Sequence, residues 1–489
     1  MPFGAERGPG WARYLGPAAI VAWATVLFLP VLLGNRALFW HDASIQNIPL
    51  RLSLRQAVSR ASLPVWSWTY GGGYPVGCDP QAGLMYPLQA FDLTGLVSAE
   101  RAFAVSAWLH FALAGLGLWA LLGLYGTGRA ARLAAALAYM GCGFLAGHVM
   151  HVHLVWAAAW LSWGLAGLGW LARRPGPARA AVAGAPLGMM LLAGQPQLAF
   201  YGACAWAAWT LLAPLPEGTG RGRAAAWSAA AAAFGLFLGV GPYLPALDLY
   251  AASSRAELGA GHGGVFNMAL DPRFWPLILQ PFLYGTYAEN SYFGGAHHYE
   301  VCGYLAAPAL VLGVVGLAVV PRGRRGLVLA ALVLAVGGLA MAAARQNPLY
   351  HVLGAYPPLG SFRAHARWLM VFSAGWVILA AAGTEALWDG TRRRRLAALG
   401  VMALAVWALA PVGIRAVRAP ATRALAQRAA ALAPQQAGRT ATAREPVGRD
   451  AAAKAAAKFH QMARRVSWLD PYWAGFGLAG VALVVAGGL

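Results

Sequence analysis

The residue best suited to catalysis in this chain is a single acid, Asp42, which closely follows the first long apolar stretch. An ionised side chain near a membrane helix is costly to keep dry, at about 2.5 to 3.5 kcal/mol in central positions, so it usually lies in a wet, functional cavity. His41 precedes this acid, and Gln46 follows within about one helical turn. Because Asp is also a favoured N-cap, capping of the next helix is the alternative role. We predict that Asp42 is catalytic, and capping is compatible with that role.

The rest of the first long loop, which runs from Phe39 to Tyr86, predicts a helix followed by irregular backbone. Arg51 and Arg55 lie among large aliphatic residues, a pattern typical of a helix on the membrane surface. Gly71-Gly72-Gly73 ends helical structure, because glycine lacks the restraint of a Cβ atom. We expect this loop to curl its backbone closely around another group.

Three histidines fall within six residues, at His148, His151 and His153. His148 and His151 are three residues apart and share a helix face, so they could bind a metal ion. The alternative is a polar turn that faces a substrate, since no carboxylate lies nearby in the sequence to complete a metal site.

A later loop, residues 246–302, carries most of the remaining acids and imidazoles outside the apolar spans. His298 and Glu300, together with a distant Asp, could hold a divalent ion. The alternative is that Glu300 solvates the start of the next helix, where the macrodipole favours a carboxylate.

Two arginines, Arg363 and Arg367, lead into another apolar span. Guanidinium groups bind phosphate through paired hydrogen bonds, which predicts a phosphate-bearing ligand here. The alternative is that both side chains extend to lipid headgroups.

The elements that must position these residues are membrane helices. The chain has 489 residues, of which 59% are apolar, and its mean hydropathy is +0.55. Uncharged runs long enough to cross a bilayer recur along it and predict an all-α polytopic membrane protein. We predict about twelve spans, near residues 17–34, 103–125, 132–147, 154–172, 180–194, 198–214, 225–245, 303–320, 327–344, 368–388, 396–414 and 472–489.

The distribution of charge predicts the orientation. The net charge of +21 comes from arginines in short loops between spans and not from a basic stripe, which argues against a nucleic-acid partner. These loops fall on one face, which the positive-inside rule assigns to the cytoplasm. Asp42, the histidine turn and both arginines are then expected on the opposite, extracytoplasmic face.

The chain divides into three parts by composition. Residues 1–416 are predicted to form the catalytic membrane domain, and residues 472–489 the last transmembrane helix. Residues 417–471 between them are rich in Ala and Arg, which predicts exposed helices and not a packed domain.

Several stretches together resemble the YfhO family of bacterial membrane glycosyltransferases, part of the GT-C class. The first loop, with Asp42 and its Gly-rich turn, resembles the first external loop of that family. Gly194-Gln195-Pro196-Gln197 resembles a Gly-His-Pro-Gln turn, although Gln195 replaces the usual histidine, which weakens any role of this turn in metal binding. The resemblance covers residues 15–390 and includes the segments around Arg255, Glu300 and Arg363.

The resemblance implies an inverting transfer of a sugar from a polyprenyl-phosphate carrier to a lipid, glycan or protein acceptor. It places the reaction on the extracytoplasmic side of the bacterial cytoplasmic membrane, with Asp42 as general base. The residues themselves, apart from the resemblance, allow a bound divalent ion at His298 and Glu300. The residues expected to bind substrate are His41, Gln46, Gln195, Gln197, Tyr201, Arg255, Arg363 and Arg367.

Two other functions fit a chain of this class. A transporter or lipid flippase would show paired repeats and ionisable groups in broken helices, neither of which is clear in this sequence. A non-catalytic membrane scaffold would bind the lipid-linked sugar without turning it over.

Overall fold

The computed structural model describes residues 12–253, 268–289, 291–294, 296–354, 356, 359–387, 393–411, 457, 461 and 470–488. Within these residues the regular structure is helical, apart from one isolated β-bridge between Ser67 and Tyr74. The predicted all-α class is therefore confirmed. Most of the predicted Ala/Arg-rich segment lies outside the described residues.

Helices occupy all twelve positions at which spans are predicted. Seven of the described helices are long and apolar enough to cross a membrane, or eight when the pair bent by 65° at residues 240–242 is one span. The chain is thus a multi-pass membrane protein. The main helices are α1 (Ala12–Leu32), α2 (Ile48–Ser59), α3 (Ala99–Leu124), α4 (Arg129–Met140), α5 (Gly143–Gly147), α6 (Val152–Arg173), α7 (Pro177–Leu192), α8 (Pro196–Leu212), α9 (Arg221–Gly239), α10 (Tyr243–Ala251), α11 (His298–Val301), α12 (Ala307–Ala318), α13 (Arg325–Ala342), α14 (Pro348–Leu353), α15 (Leu369–Ala386), α16 (Arg393–Pro411) and α17 (Pro471–Gly488).

The helices pack through small residues and leave large apolar side chains outside. At the crossing of α7 and α9, a Cβ on Gly184 would lie 2.1 Å from the Ala231 carbonyl oxygen, so only glycine permits this approach. Close helix contacts of this kind are typical of membrane bundles. Exposed residues such as Val26 and Leu29 on α1 and Phe237 on α9 suit a surface that faces lipid hydrocarbon.

Helix α2 lies where a surface helix is predicted, but its arginines do not face lipid headgroups. Arg51 is buried and pairs with Asp92, and Arg55 donates to the same carboxylate over 2.7 Å. A buried guanidinium requires such a partner, and Asp92 is too distant in sequence for the local pattern to reveal it. The face of α2 that carries these arginines therefore packs against the protein.

The Gly-rich turn of the first loop curls on itself and not around another group. Ser67 and Tyr74 exchange two backbone hydrogen bonds, and the chain between them turns through glycines with positive φ. A Cβ on Gly71 or Gly72 would meet no atom within 4 Å, so these glycines are required by backbone conformation and not by space.

Candidate active site

Asp42 lies between two imidazoles. Its Oδ1 atom is 2.7 Å from His41 Nδ1, and its Oδ2 atom is 3.0 Å from His151 Nε2. Although Asp42 occupies the N-cap position of the π-helical turn Ala43–Asn47, its side chain makes no capping hydrogen bond there. The structure therefore favours a role for this carboxylate other than capping.

Asn47 fixes the first loop against the histidine turn. Its side-chain amide donates to the Asp42 carbonyl oxygen over 3.0 Å and to the Met150 carbonyl oxygen over 3.1 Å. Its Oδ1 atom is 3.3 Å from His153 Nδ1. Because Asn47 is buried, these bonds hold Asp42 and His151 in register.

The histidine turn lies between α5 and α6 and is pressed against the segment that contains α11. A Cβ on Gly143 would lie 2.5 Å from the Cys302 carbonyl oxygen, and a Cβ on Gly147 would lie 3.2 Å from Tyr299 Cα. These glycines allow α5 to approach closely enough for the His151 ring to lie 4.8 Å, between centroids, from the Tyr299 ring.

A second acid, Glu300, lies beside the same turn. Arg367 donates to both of its carboxylate oxygens, over 3.0 Å from Nε and 2.7 Å from Nη2. His148 Nε2 is 3.4 Å from the Oε2 atom. Glu300 thus joins α11, the histidine turn and the start of the span that contains α15.

Gln197 and Tyr201 support this second acid from α8. The Gln197 amide donates to the Tyr201 hydroxyl and to the Ala364 carbonyl oxygen, each over 2.9 Å. Its Oε1 atom accepts from Arg367 over 3.3 Å. Tyr201 is buried and stacks on Trp368 with ring centroids 4.0 Å apart. Both side chains therefore contact the residues around Arg367.

The other predicted site residues lie in different surroundings. His298 Nε2 contacts the Pro281 carbonyl oxygen, and Glu300 pairs with Arg367. Each side chain thus has a protein partner, and the metal site that they were predicted to share stays a prediction. Gln46 donates to Gln81 over 3.3 Å. Arg363 is exposed, Gln195 is buried at the start of α8, and Arg255 lies outside the described residues.

A largely apolar cavity of about 660 Å³ opens beside Asp42. Trp40 and Ala43, on either side of the His41–Asp42 pair, line it together with Met150 and Tyr299. Clefts of this volume suit a large ligand, and this one is lined mainly by hydrophobic groups.

The electrostatics of the first acid favour an anion beside a neutral imidazole. The hydrogen bond from His151 lowers the pKa of the Asp42 carboxyl, although partial burial acts in the opposite direction. Burial lowers the pKa of the His151 imidazole, and the bond to Asp42 only partly offsets this effect. Near neutral pH, His151 therefore donates its Nε2 proton to an ionised Asp42.

The second acid is held ionised by a full positive charge. Burial raises the pKa of the Glu300 carboxyl, but the Arg367 guanidinium and the His148 imidazole together hold that pKa well below its usual range. A carboxylate in this setting resists protonation.

The residues that join these two acids were only partly foreseen from the sequence. The composition of the histidine turn predicts either a metal site or a substrate-facing turn, and Asn47 is predicted only as a polar neighbour of Asp42. The pattern carries no signal for the partners, since His151 contacts Asp42 and His148 contacts Glu300 only in the folded chain.

Comparison with known proteins does not assign a function to this chain. No protein-family model matches the chain, and no curated protein sequence matches it. One similar solved structure is the crystal structure of ArnT from Cupriavidus metallidurans bound to undecaprenyl phosphate. It has a TM-score of 0.47 and 14% sequence identity, and the match covers 97% of this chain and 78% of that one. These values are too low to transfer a function.

Proposed function

We propose that this protein is a membrane glycosyltransferase of the GT-C type that moves a sugar from a polyprenyl-phosphate carrier to an acceptor hydroxyl. The observation that carries the proposal is the Asp42 carboxylate, ionised between His41 and His151 at the edge of an apolar cavity of about 660 Å³. An apolar cavity suits a lipid-linked donor, and a positioned carboxylate suits removal of a proton from a hydroxyl.

In the proposed reaction Asp42 accepts the proton of the acceptor hydroxyl as its oxygen attacks the anomeric carbon of the donor. The bond from that carbon to the phosphate oxygen breaks, and the polyprenyl phosphate leaves with the electron pair. A single displacement of this kind inverts the anomeric configuration. His41 and His151 orient the carboxylate through the hydrogen bonds already formed.

The leaving phosphate requires positive charge, which we assign to Arg363 and Arg367. Arg363 is exposed, and Arg367 is largely enclosed and donates two hydrogen bonds to Glu300. Arg363 is therefore the group that a phosphate reaches most directly. Gln197 and Tyr201 act through Arg367, which they help to position.

A divalent ion would be held by His41, Asp42 and His151, whose ligand atoms lie within 4.8 Å of one another. Such an ion supplies Lewis-acid stabilisation of a leaving phosphate. In the arrangement observed both imidazoles contact the Asp42 carboxylate at hydrogen-bond distance, so we assign proton transfer to Asp42 alone.

The proposal also places the site on the extracytoplasmic side of the membrane. Short arginine-rich loops between the spans assign the opposite face to the cytoplasm, which leaves the Asp42 loop outside the bacterial cytoplasmic membrane. The carrier would then be used from the outer leaflet of that membrane.

The test is transfer by the purified protein in liposomes. Radiolabelled hexoses linked to undecaprenyl phosphate are offered with membranes from cells that lack the protein. We expect wild type to transfer the label from undecaprenyl phosphate to acceptors in the added cell membranes, and we expect Asp42→Asn not to do so. Undiminished transfer by that variant would remove Asp42 from the role of base.

A transporter has one supporting observation, the 65° bend between α9 and α10, because broken helices are common in transporters. None of the described residues of α10 is buried, and no cavity beside Asp42 is lined by that helix. Movement of a fluorescent polyprenyl phosphate across liposomes without sugar transfer would favour this alternative.

A further inference from the structure

A second cavity, of about 610 Å³, adjoins the apolar one and differs from it in chemistry. Tyr287 lines both cavities. Along the chain, His297 lines the second cavity, whereas the next residues, His298 and Tyr299, line the first. The two cavities are therefore neighbours that share the Tyr287 side chain.

The second cavity is lined by charged and aromatic side chains. Arg273 and Arg345 are its two arginines, and Asp271 is the one acid among the described lining residues. Asp271 lies 3.4 Å from Arg273 Nε, so it offsets one of the two positive charges. The lining keeps a net charge of +1 from these three side chains, which favours an anionic ligand.

Aromatic rings complete the lining. Tyr287 and Tyr292 lie with their ring centroids 4.8 Å apart, and His297 stacks on Tyr299 at 5.2 Å. Rings of this kind present both an apolar face and a polar edge, which suits the mixed surface of a sugar. Guanidinium groups add paired hydrogen bonds to a carboxylate or a phosphate.

The residues at the boundary between the two cavities, Tyr287 and Tyr299, lie close to the proposed base. The Trp40 ring is 6.2 Å from the Tyr287 ring, and the His41 ring is 6.0 Å from the Tyr299 ring, between centroids. Trp40 and His41 directly precede Asp42. The boundary between the two cavities therefore lies next to the segment that carries this carboxylate.

We propose that the polar cavity binds the acceptor and that the acceptor is an anionic glycan, recognised by Arg273 and Arg345 and stacked on the tyrosines. This assignment rests on the proposed function and names the substrate that it leaves open. The anionic group is a carboxylate or a phosphate, which share the chemistry that a guanidinium recognises.

The test measures binding, and it uses the Asp42→Asn protein in nanodiscs so that no turnover occurs. Three probes are titrated: tetragalacturonate, pentamannosyl phosphate and neutral cellotetraose. We expect at least one anionic probe to bind at least tenfold more tightly than cellotetraose, and the tighter of the two identifies the anionic group.

Variants assign that binding to the cavity. We expect Arg273→Ala with Arg345→Ala to weaken binding of the anionic probe at least tenfold, and Arg273→Lys with Arg345→Lys to weaken it less. Arg322→Ala with Arg325→Ala removes the same charge from the loop before α13 and from the first residue of that helix, and it should leave binding unchanged. Thermal unfolding of each variant confirms that it is folded.

Equal binding of cellotetraose, or binding that survives loss of both cavity arginines, would overturn the assignment. This readout does not depend on transfer. If the anionic probe binds through the arginines while wild type transfers no sugar, the site stands and the proposed function fails. If wild type transfers sugar but the anionic probe does not bind through the arginines, the proposed function stands and the acceptor site fails.

Discussion

Two carboxylates, Asp42 and Glu300, are brought to the same histidine turn and are treated in opposite ways. The Asp42 side chain is 24% exposed, and its two side-chain partners in the described structure are imidazoles. The Glu300 side chain is 3% exposed and receives two hydrogen bonds from the Arg367 guanidinium. One short turn thus contacts both acids. Its His151 contacts the partly exposed Asp42, and its His148 contacts the enclosed Glu300.

The difference in partners separates reactivity from structure. A neutral imidazole that donates to Asp42 leaves the negative charge in place, so this oxygen can still take a proton. Around Glu300 the guanidinium neutralises the charge and fills two of the carboxylate's lone pairs, and His148 lies close to one of the same two oxygens. We therefore expect substitution of Asp42 to affect chemistry and substitution of Glu300 to affect stability.

Replacing Asp42 by Asn gives the largest expected effect. The amide keeps the shape of the side chain but cannot accept the hydroxyl proton, so transfer should fall by about 10²- to 10⁴-fold. Initial rates of label transfer in liposomes measure this change. Unfolding of the variant should remain close to that of wild type, and a rate within a few fold of wild type would contradict the comparison.

Replacing Glu300 by Gln should give the opposite result. Because Arg367 then loses its charged partner in a largely enclosed position, the free energy of unfolding should fall by about 3 kcal/mol. Denaturant unfolding of the purified protein measures this loss.

Two controls accompany the Glu300 variant. Adding Arg367→Met removes the unpaired charge and should recover part of the stability. A Glu300→Gln protein as stable as wild type, but inactive, would show that the second acid has a direct role in the reaction.

The fold was largely predictable from the sequence because apolar run length decides which segments become membrane helices. All twelve predicted positions hold helices, and the segment after Asp42 forms α2 as expected. The inward direction of Arg51 could not be foreseen, since its partner Asp92 lies beyond the end of the first loop and nothing in the local pattern indicates their approach.

The sequence predicts which residues form the candidate site better than it predicts which of them contact each other. Charge and hydropathy grouped Asp42, the histidine turn, Glu300 and Arg367 on one face, and the structure brings these residues together. Which acid receives the arginine depends on helix packing at glycines such as Gly143, which the sequence does not encode locally. Their catalytic and binding roles stay predictions.

Replacing His151 by Ala tests the comparison through pH, because alanine has no donor that could restore the hydrogen bond to Asp42. The hydrogen bond from His151 lowers the pKa of Asp42, so its loss should raise that pKa. A base works only when deprotonated, so activity is lost as pH falls through its pKa, and the acidic limb of kcat/KM should move to higher pH. The neutral-pH rate should fall about tenfold, since the carboxylate also loses its orientation.

His148→Ala is the matched control for the pH experiment. His148 contacts Glu300 and not Asp42, so the acidic limb should stay in place while stability falls. If the limb moves equally in both variants, the two carboxylates titrate as one coupled unit, and the separation drawn above is wrong.

Removal of divalent ions should have the smallest effect, a change in transfer rate of less than about threefold, because no ion is needed to hold the base. Asp42 lies 2.7 Å from His41 and 3.0 Å from His151, which are hydrogen-bond distances. Two ligand atoms of a tetrahedral zinc site, with bonds of about 2.0 to 2.2 Å, would lie about 3.3 to 3.6 Å apart. A nitrogen that donates its proton to the carboxylate cannot also bind an ion. Rates measured after EDTA dialysis check this, and loss of transfer restored by Mn²⁺ or Mg²⁺ would make the three residues a metal site.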